Sequence, residues 1–264
     1  MGIVESVVKG FTGTVKVLHV ILVFLVFNVI VGLVSLPMTN PDNVNNPVMV
    51  AISAVASLVF FLIFIFLQGG ALGLIRDFIK TDSILFSQFR EYGKKFYVKI
   101  LLLLLLYFAI ALGVVLILAL ISAGLLLLGD NVAIRSVIAV IITVVSVMVI
   151  TALIYPIYAV VVEDLGPVAA LKKGITVAKQ NFLGTLGLFL LLLLISLLIS
   201  LLIGFIAGVV TIPLGDTVSR IVLSLVNAVV QSYIPVVMMI AFMRFYMGLI
   251  VGKGPQTVKD PSVI

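Results

Sequence analysis

Three amide side chains interrupt otherwise apolar sequence: Asn28, Asn227 and Gln231. Burying an amide without partners costs free energy. In a hydrophobic run such a group does one of two jobs. It bonds neighbouring helices together, or it lines a polar path for a substrate. Asn227 and Gln231 are four residues apart, so on a helix they share a face, which Pro235 continues. Asn28 falls at a matching depth in its own run. Glue and path both remain open at this level.

A second group sits nearer the ends of the runs. Gln68, Pro156 and Arg244 are evenly spaced along the chain, and Arg76, Asp77, Glu163 and Asp164 follow the first two in sequence. By pairing opposite charges these residues would form an inner ring at the membrane edge. The alternative is that each long side chain extends to the headgroups and carries its charge out of the hydrocarbon. Pro156 has no N–H, so it frees a helical carbonyl and bends its helix.

Catalytic chemistry is poorly provided for. The chain has no Cys and a single His, His19. That excludes thiolate nucleophiles and metal sites built on several Cys or His. No Gly-x-Ser-x-Gly elbow, His-Glu-x-x-His pair or phosphate loop is present. We therefore expect no enzyme activity, no cofactor and no bound metal.

The elements that carry these residues are apolar runs at 18–36, 47–75, 98–128, 132–162, 183–211 and 221–251. Each exceeds the ~18 apolar residues of a membrane-crossing helix. Only 10% of residues are charged and 64% are hydrophobic, whereas a soluble domain carries about 25% charged residues. Too little polar surface is left to face water, so the solvent for this chain is lipid. The first run is longer than the apolar core of a signal peptide and is expected to be retained. Of the 16 Lys and Arg, all but Arg135 and Arg220 fall on one side of this topology. The positive-inside rule puts that side, and both termini, in the cytoplasm. The net charge of +6 then serves anionic headgroups and not nucleic acid. A plasma-membrane protein is expected, with the bilayer as its main partner. The other three connections carry one acid each, Asp42, Asp130 and Asp216.

A segment with helical apolar spacing precedes each odd-numbered run. In the first, Val4, Val7, Val8, Phe11, Val15 and Leu18 oppose Glu5, Lys9, Thr12 and Lys16. In the second, Leu85, Phe89, Tyr92 and Phe96 oppose Ser87, Glu91, Lys94 and Lys95. In the third, Val168, Leu171, Ile175, Ala178 and Phe182 oppose Lys172, Thr176 and Lys179. A basic polar face suits a helix lying among headgroups. The expected fold is an all-α integral membrane protein. Its six transmembrane helices form three parallel repeats, each opened by a cytoplasmic amphipathic surface helix. The repeat units are about 1–79, 80–165 and 166–252 of a single domain, and 253–264 is a short cytoplasmic tail. In the fifth run Ser196, Ser200, Gly204 and Gly208 recur every four residues, which predicts a close helix contact.

The third surface segment has the sharpest local pattern. It reads Glu163-Asp164-Leu165-Gly166-Pro167-Val168-Ala169-Ala170-Leu171-Lys172-Lys173-Gly174, then Asn181-Phe182 and a leucine-rich run. This resembles the membrane domain that accompanies some glycerophosphoryl diester phosphodiesterases and its stand-alone six-span relatives, over about residues 69–202. The resemblance implies a six-span bundle. It does not bring hydrolase activity, because the soluble half with its paired histidines and carboxylates is missing. The same segment is similar to the cytoplasmic loop of ABC-transporter permeases at Ala169, Ala170 and Gly174. Val168 stands where that loop has Glu. The leading expectation is a non-catalytic membrane module for transport or lipid handling, or an anchor for a soluble cytoplasmic partner. The alternatives are a permease subunit needing a separate ATPase, and a membrane-embedded lipid enzyme.

Overall fold

The structure is a computed structural model that describes residues 2–36, 46–127, 129 and 131–251. Asp42, Asp130 and the tail at 253–264 lie outside these residues. All regular structure among the described residues is helical. The α-helices are α1 (Ile3–Lys16), α2 (Leu18–Ser35), α3 (Pro47–Thr81), α4 (Phe89–Leu127), α5 (Val132–Leu153), α6 (Pro156–Val162), α7 (Pro167–Gln180), α8 (Phe182–Thr211) and α9 (Asp216–Val251). A 3₁₀ turn, Phe86–Gln88, leads into α4. Six stretches are long and apolar enough to cross a membrane: Leu18–Ser35, Pro47–Thr81, Phe86–Leu127, Val132–Val162, Phe182–Thr211 and Ile221–Val251. The chain is a multi-pass helical protein of the membrane type. A helix is the element that meets this solvent, since it satisfies its own backbone groups.

Two compact units divide the chain. One runs to Phe96 and resumes at Gly187; the other is Tyr97–Leu186. These bounds differ from the repeat bounds read along the sequence and fall inside α4 and α8.

In the first unit α9 is the central helix. Half of the apolar window in Ile221–Val251 is buried, against 11% or less for the other five spans. Small residues let α1 lie directly on it. Ser6, Gly10, Gly13 and Thr14 are buried. A Cβ on Gly10 would lie 3.0 Å from the Val237 carbonyl oxygen, and one on Gly13 3.3 Å from Ile240. Val7 is buried beside them, whereas Val4, Val8 and Val15 of the same helix stay exposed. On its polar face Lys9 donates to Glu5 at 2.7 Å. That bond, with the Gly2 N–H, holds the Glu5 carboxyl below its ordinary value. The helix ends at Val17, whose N–H is shared between the Gly13 and Thr14 carbonyls.

The start of α4 packs on α3 by a glycine–aromatic exchange. Phe89 sits over Gly70, where a Cβ would meet its ring at 2.9 Å, and the Tyr92 ring lies over Gly73. Gly93 receives Phe66 in return, at 2.7 Å. The Gly69–Gly70 pair therefore makes room for aromatic rings, and α3 runs through it unbroken.

In the second unit the chain does break. Leu153 ends α5, and Pro156 occupies the first turn of α6, where its missing N–H costs nothing. The gap is bridged by a side chain. The Tyr107 hydroxyl donates to the Leu153 carbonyl at 2.9 Å, and the hydroxyl oxygen faces the Ile157 N–H. The phenol thus stands where one helical hydrogen bond would run. Beyond it, α7 docks on α6 through buried Ala170, Gly174, Val177 and Ala178. The backbone of Pro156 fills the place of a Cβ on Gly174.

Candidate functional site

The residues expected at the inner ring fall into both units, and within each they make local pairs. Arg76 and Asp77 are adjacent on α3. Arg76 Nη2 lies 2.8 Å from Asp77 Oδ1, and its guanidinium stacks over Tyr92 at 5.0 Å and Phe96 at 5.8 Å. Such stacking contributes on the order of 0.5–2 kcal/mol. The Tyr92 hydroxyl donates to Asp77 through a very short bond and also bonds Gln88. This clasp ties the end of α3 to the start of α4. Gln68 is half-buried two turns earlier on α3.

Arg244, on α9, takes no part in that clasp. Its guanidinium lies over the Phe78 ring at 5.5 Å, and its Nε is buried with no hydrogen-bond partner among the described residues. Lys16, at the end of α1, overhangs the same ring at 5.8 Å and pairs with Asp82 at 2.8 Å. Asp82 holds the left-handed conformation that closes α3 (φ 51°).

In the second unit Asp164 also has positive φ, 55°. It accepts from Lys99 Nζ at 2.8 Å through its carboxylate and at 3.0 Å through its carbonyl. Glu163 lies 3.5 Å from Lys173. These pairs hold the loop between α6 and α7. Pro156 is buried against Gly174.

The three amides are placed differently from one another. Asn28 donates to Ser232 Oγ at 2.9 Å, and Ser232 Oγ donates on to the Ala228 carbonyl at 2.5 Å. Asn28 therefore bonds α2 to α9. Asn227 and Gln231 are exposed on another face of α9. Asn227 borders a groove of about 200 Å³ between α8 and α9, shared with Ser200 and Gly204. The small-residue ridge of α8 is open there: a Cβ on Gly204 or Gly208 would meet nothing within 4 Å. Ile203, Leu223, Val226 and Val230 line the same groove, and their bulk holds the backbones apart. Asn28→Leu is expected to cost at most ~0.6–1.7 kcal/mol, the span measured for bonds between membrane helices. Asn227→Leu is expected to cost less. Thermal unfolding in detergent ranks the two; a larger loss for Asn227→Leu would refute the assignment.

A second groove follows α2. It holds about 500 Å³ and is lined by Leu22, Val26, Phe27 and Ile30 of α2 and Leu67 of α3, with His19 and Phe86 at one end. The His19 and Phe86 rings are 5.6 Å apart. Among the described residues no group of three His, Asp or Glu could hold a metal ion.

Sequence reasoning missed Ser232, Phe78, Asp82 and Tyr107. Ser232 had a signal, as a polar residue in an apolar run four residues after Ala228. Phe78 and Tyr107 had none, because aromatic residues are ordinary in such runs.

A family model described as a domain of unknown function, DUF7847, matches residues 1–249. No curated protein and no solved structure matches the chain.

Proposed function

We propose that this chain, which belongs to the DUF7847 family, is a non-catalytic, multi-pass module of the plasma membrane that handles lipid. The groove beside α2 carries the reading. From His19 to Ile30 it follows roughly 16 Å of helix at 1.5 Å per residue. Apart from His19, its lining is aliphatic or aromatic, and it belongs to a span that faces hydrocarbon. An open apolar groove of that length suits one acyl chain, and each buried methylene contributes about 0.8 kcal/mol. Among the described residues that line it, His19 alone is polar, at one end.

In this reading the three segments before the odd-numbered spans lie on the cytoplasmic face, and three parallel repeats build the module. The bias of Lys and Arg to one side supports the orientation. A cysteine placed at Thr176 should be silent to an impermeant thiol reagent added outside intact cells; labelling there would reverse the topology.

The rival readings find less support. A polar path needs Asn28, Asn227 and Gln231 to converge, yet Asn28 is engaged with Ser232 while the other two lie on a different face. Permease docking needs Ala169, Ala170 and Gly174 at a free surface, and two of these are buried against α6. A membrane enzyme would need clustered acid, base or nucleophile. An anchor for a soluble, lipid-active partner, as the phosphodiesterase resemblance implies, is compatible with lipid handling.

The test uses the full chain reconstituted with a phospholipid that carries a photoreactive diazirine in its acyl chain. Crosslinks should concentrate on the peptide containing Leu22 and Val26, and Val26→Trp should reduce them severalfold. Even labelling of all six spans, unchanged by Val26→Trp, would defeat the proposal.

A further inference from the structure

We infer that Arg244, Lys16 and Phe78 form a binding site for a phosphate-class anion where α1, α3 and α9 meet. The site goes beyond the acyl-chain groove and stands on different residues.

Positive charge gathers around the Phe78 ring. Two cations share this ring, Lys16 at 5.8 Å and Arg244 at 5.5 Å. The ring is itself buried, at 2% exposure, so it is a fixed platform. One carboxylate serves both cations. Asp82 bonds Lys16 with both oxygens, at 2.9 and 2.8 Å, and its charge also reaches Arg244. The other nearby acid, Asp77, is taken by Arg76 and Tyr92. The cluster is therefore net positive.

Arg244 is the member with unused bonding capacity. Its Nε–H is buried and bonded to nothing among the described residues. A buried donor left unmade is costly, more so when it is charged. The residue as a whole is only part-buried, so the rest of the planar fork is reachable from outside. A guanidinium presents its donors in one plane, and that fork fits the oxygens of a tetrahedral oxyanion. Lys16 supplies a second charge over the same ring. Phe78 fixes the orientation, and the neighbouring Asp82 tempers the affinity. A carboxylate ligand would leave donors over, whereas a phosphate has enough oxygens for both cations.

Two sources carry this chemistry: the headgroup phosphate of a phospholipid, and free inorganic phosphate. The position of Arg244, two turns before the end of a membrane-crossing helix, brings headgroups within reach.

The experiment measures binding to the full chain in a zwitterionic detergent by titration calorimetry. The probes are inorganic phosphate and dihexanoyl phosphatidic acid. Arg244→Gln should weaken the binding probe at least ~10-fold, as loss of a charge-assisted pair requires, and Lys16→Gln should weaken it less. Asp82→Asn removes the competing carboxylate and should tighten binding about 2–5-fold. Asp82 is exposed, so this variant reports even if Arg244→Gln does not fold. Binding of phosphatidic acid alone identifies a headgroup site; equal binding of inorganic phosphate identifies a free-anion site. Either result supports the inference if the variants respond as stated. No binding of either probe to the unmodified chain would overturn it. So would affinities unmoved by Asp82→Asn together with either Arg244→Gln or Lys16→Gln.

Discussion

Gly174→Ala is expected to detach α7 from α6 and lower the unfolding temperature sharply, while Gly204→Ala is expected to leave it unchanged or raise it. Both are helical glycines in small-residue patterns, and their surroundings decide the difference. A Cβ on Gly174 would overlap the backbone nitrogen and Cα of Pro156 as well as its ring. Backbone cannot move aside as a flexible side chain does. The Pro156 ring also restricts its own φ, and α6 starts there. Overpacking a well-filled contact costs ~1–3 kcal/mol, and a clash with backbone belongs at the upper end. The Lys173–Glu163 pair would open with it. A Cβ on Gly204 would meet nothing within 4 Å. There the usual gain of about 0.5–1 kcal/mol for Ala over Gly in a helix applies undiminished. Thermal unfolding of both variants in the same detergent decides. Equal destabilisation would show that the α6–α7 contact is not as close as described.

Tyr107→Phe should be nearly as damaging, although it removes one oxygen. The hydroxyl lies in the break between α5 and α6, donating to the Leu153 carbonyl and facing the Ile157 N–H. Without it both backbone groups lose their partner in a region where the neighbouring Tyr155, Tyr158 and Ala159 are buried. An unsatisfied buried backbone group costs about 1–3 kcal/mol, and two are at stake. Water entering the gap would recover part of the loss. Tyr97→Phe is the control, since its hydroxyl has no hydrogen-bond partner among the described residues. Amide hydrogen exchange supplies the second readout. Ile157 should exchange faster in Tyr107→Phe and normally in Tyr97→Phe. Unchanged protection at Ile157 would remove the hydroxyl from the break.

The part of this architecture legible in sequence is the part that lipid dictates. A chain with so few charges must bury its backbone polar groups within its own segments. Apolar runs of sufficient length therefore become helices, and the six runs at 18–36 through 221–251 correspond to the six crossing helices. Pro156 announced a bend, because a missing N–H acts locally. Helical spacing also located α1 and α7, though of the residues it singled out Val7 and Ala178 are buried while Val4, Val8, Val15 and Val168 remain exposed.

The closest backbone approaches of those helices run through Gly10, Gly13 and Gly174. Small residues leave no mark on a hydrophobic pattern, and their use appears only when a second backbone lies against them. The stripe from Ser196 to Gly208 shows the converse: the same spacing, with no backbone close by at Gly204 or Gly208. Lipid is as apolar as leucine, so hydrophobicity cannot say which side of a span meets protein.

Composition and the positions of the six long apolar helices were thus set by the sequence alone, since each depends on the solvent and on single segments. Tertiary structure decided which groups meet across long stretches of chain. It joined Asn28 to Ser232 and left Asn227 facing a groove. It set Tyr107 into the break before Pro156, and it put Arg244 and Lys16 over one phenyl ring. These outcomes rest on the close approach of residues far apart in the chain, which no periodicity along a single helix encodes.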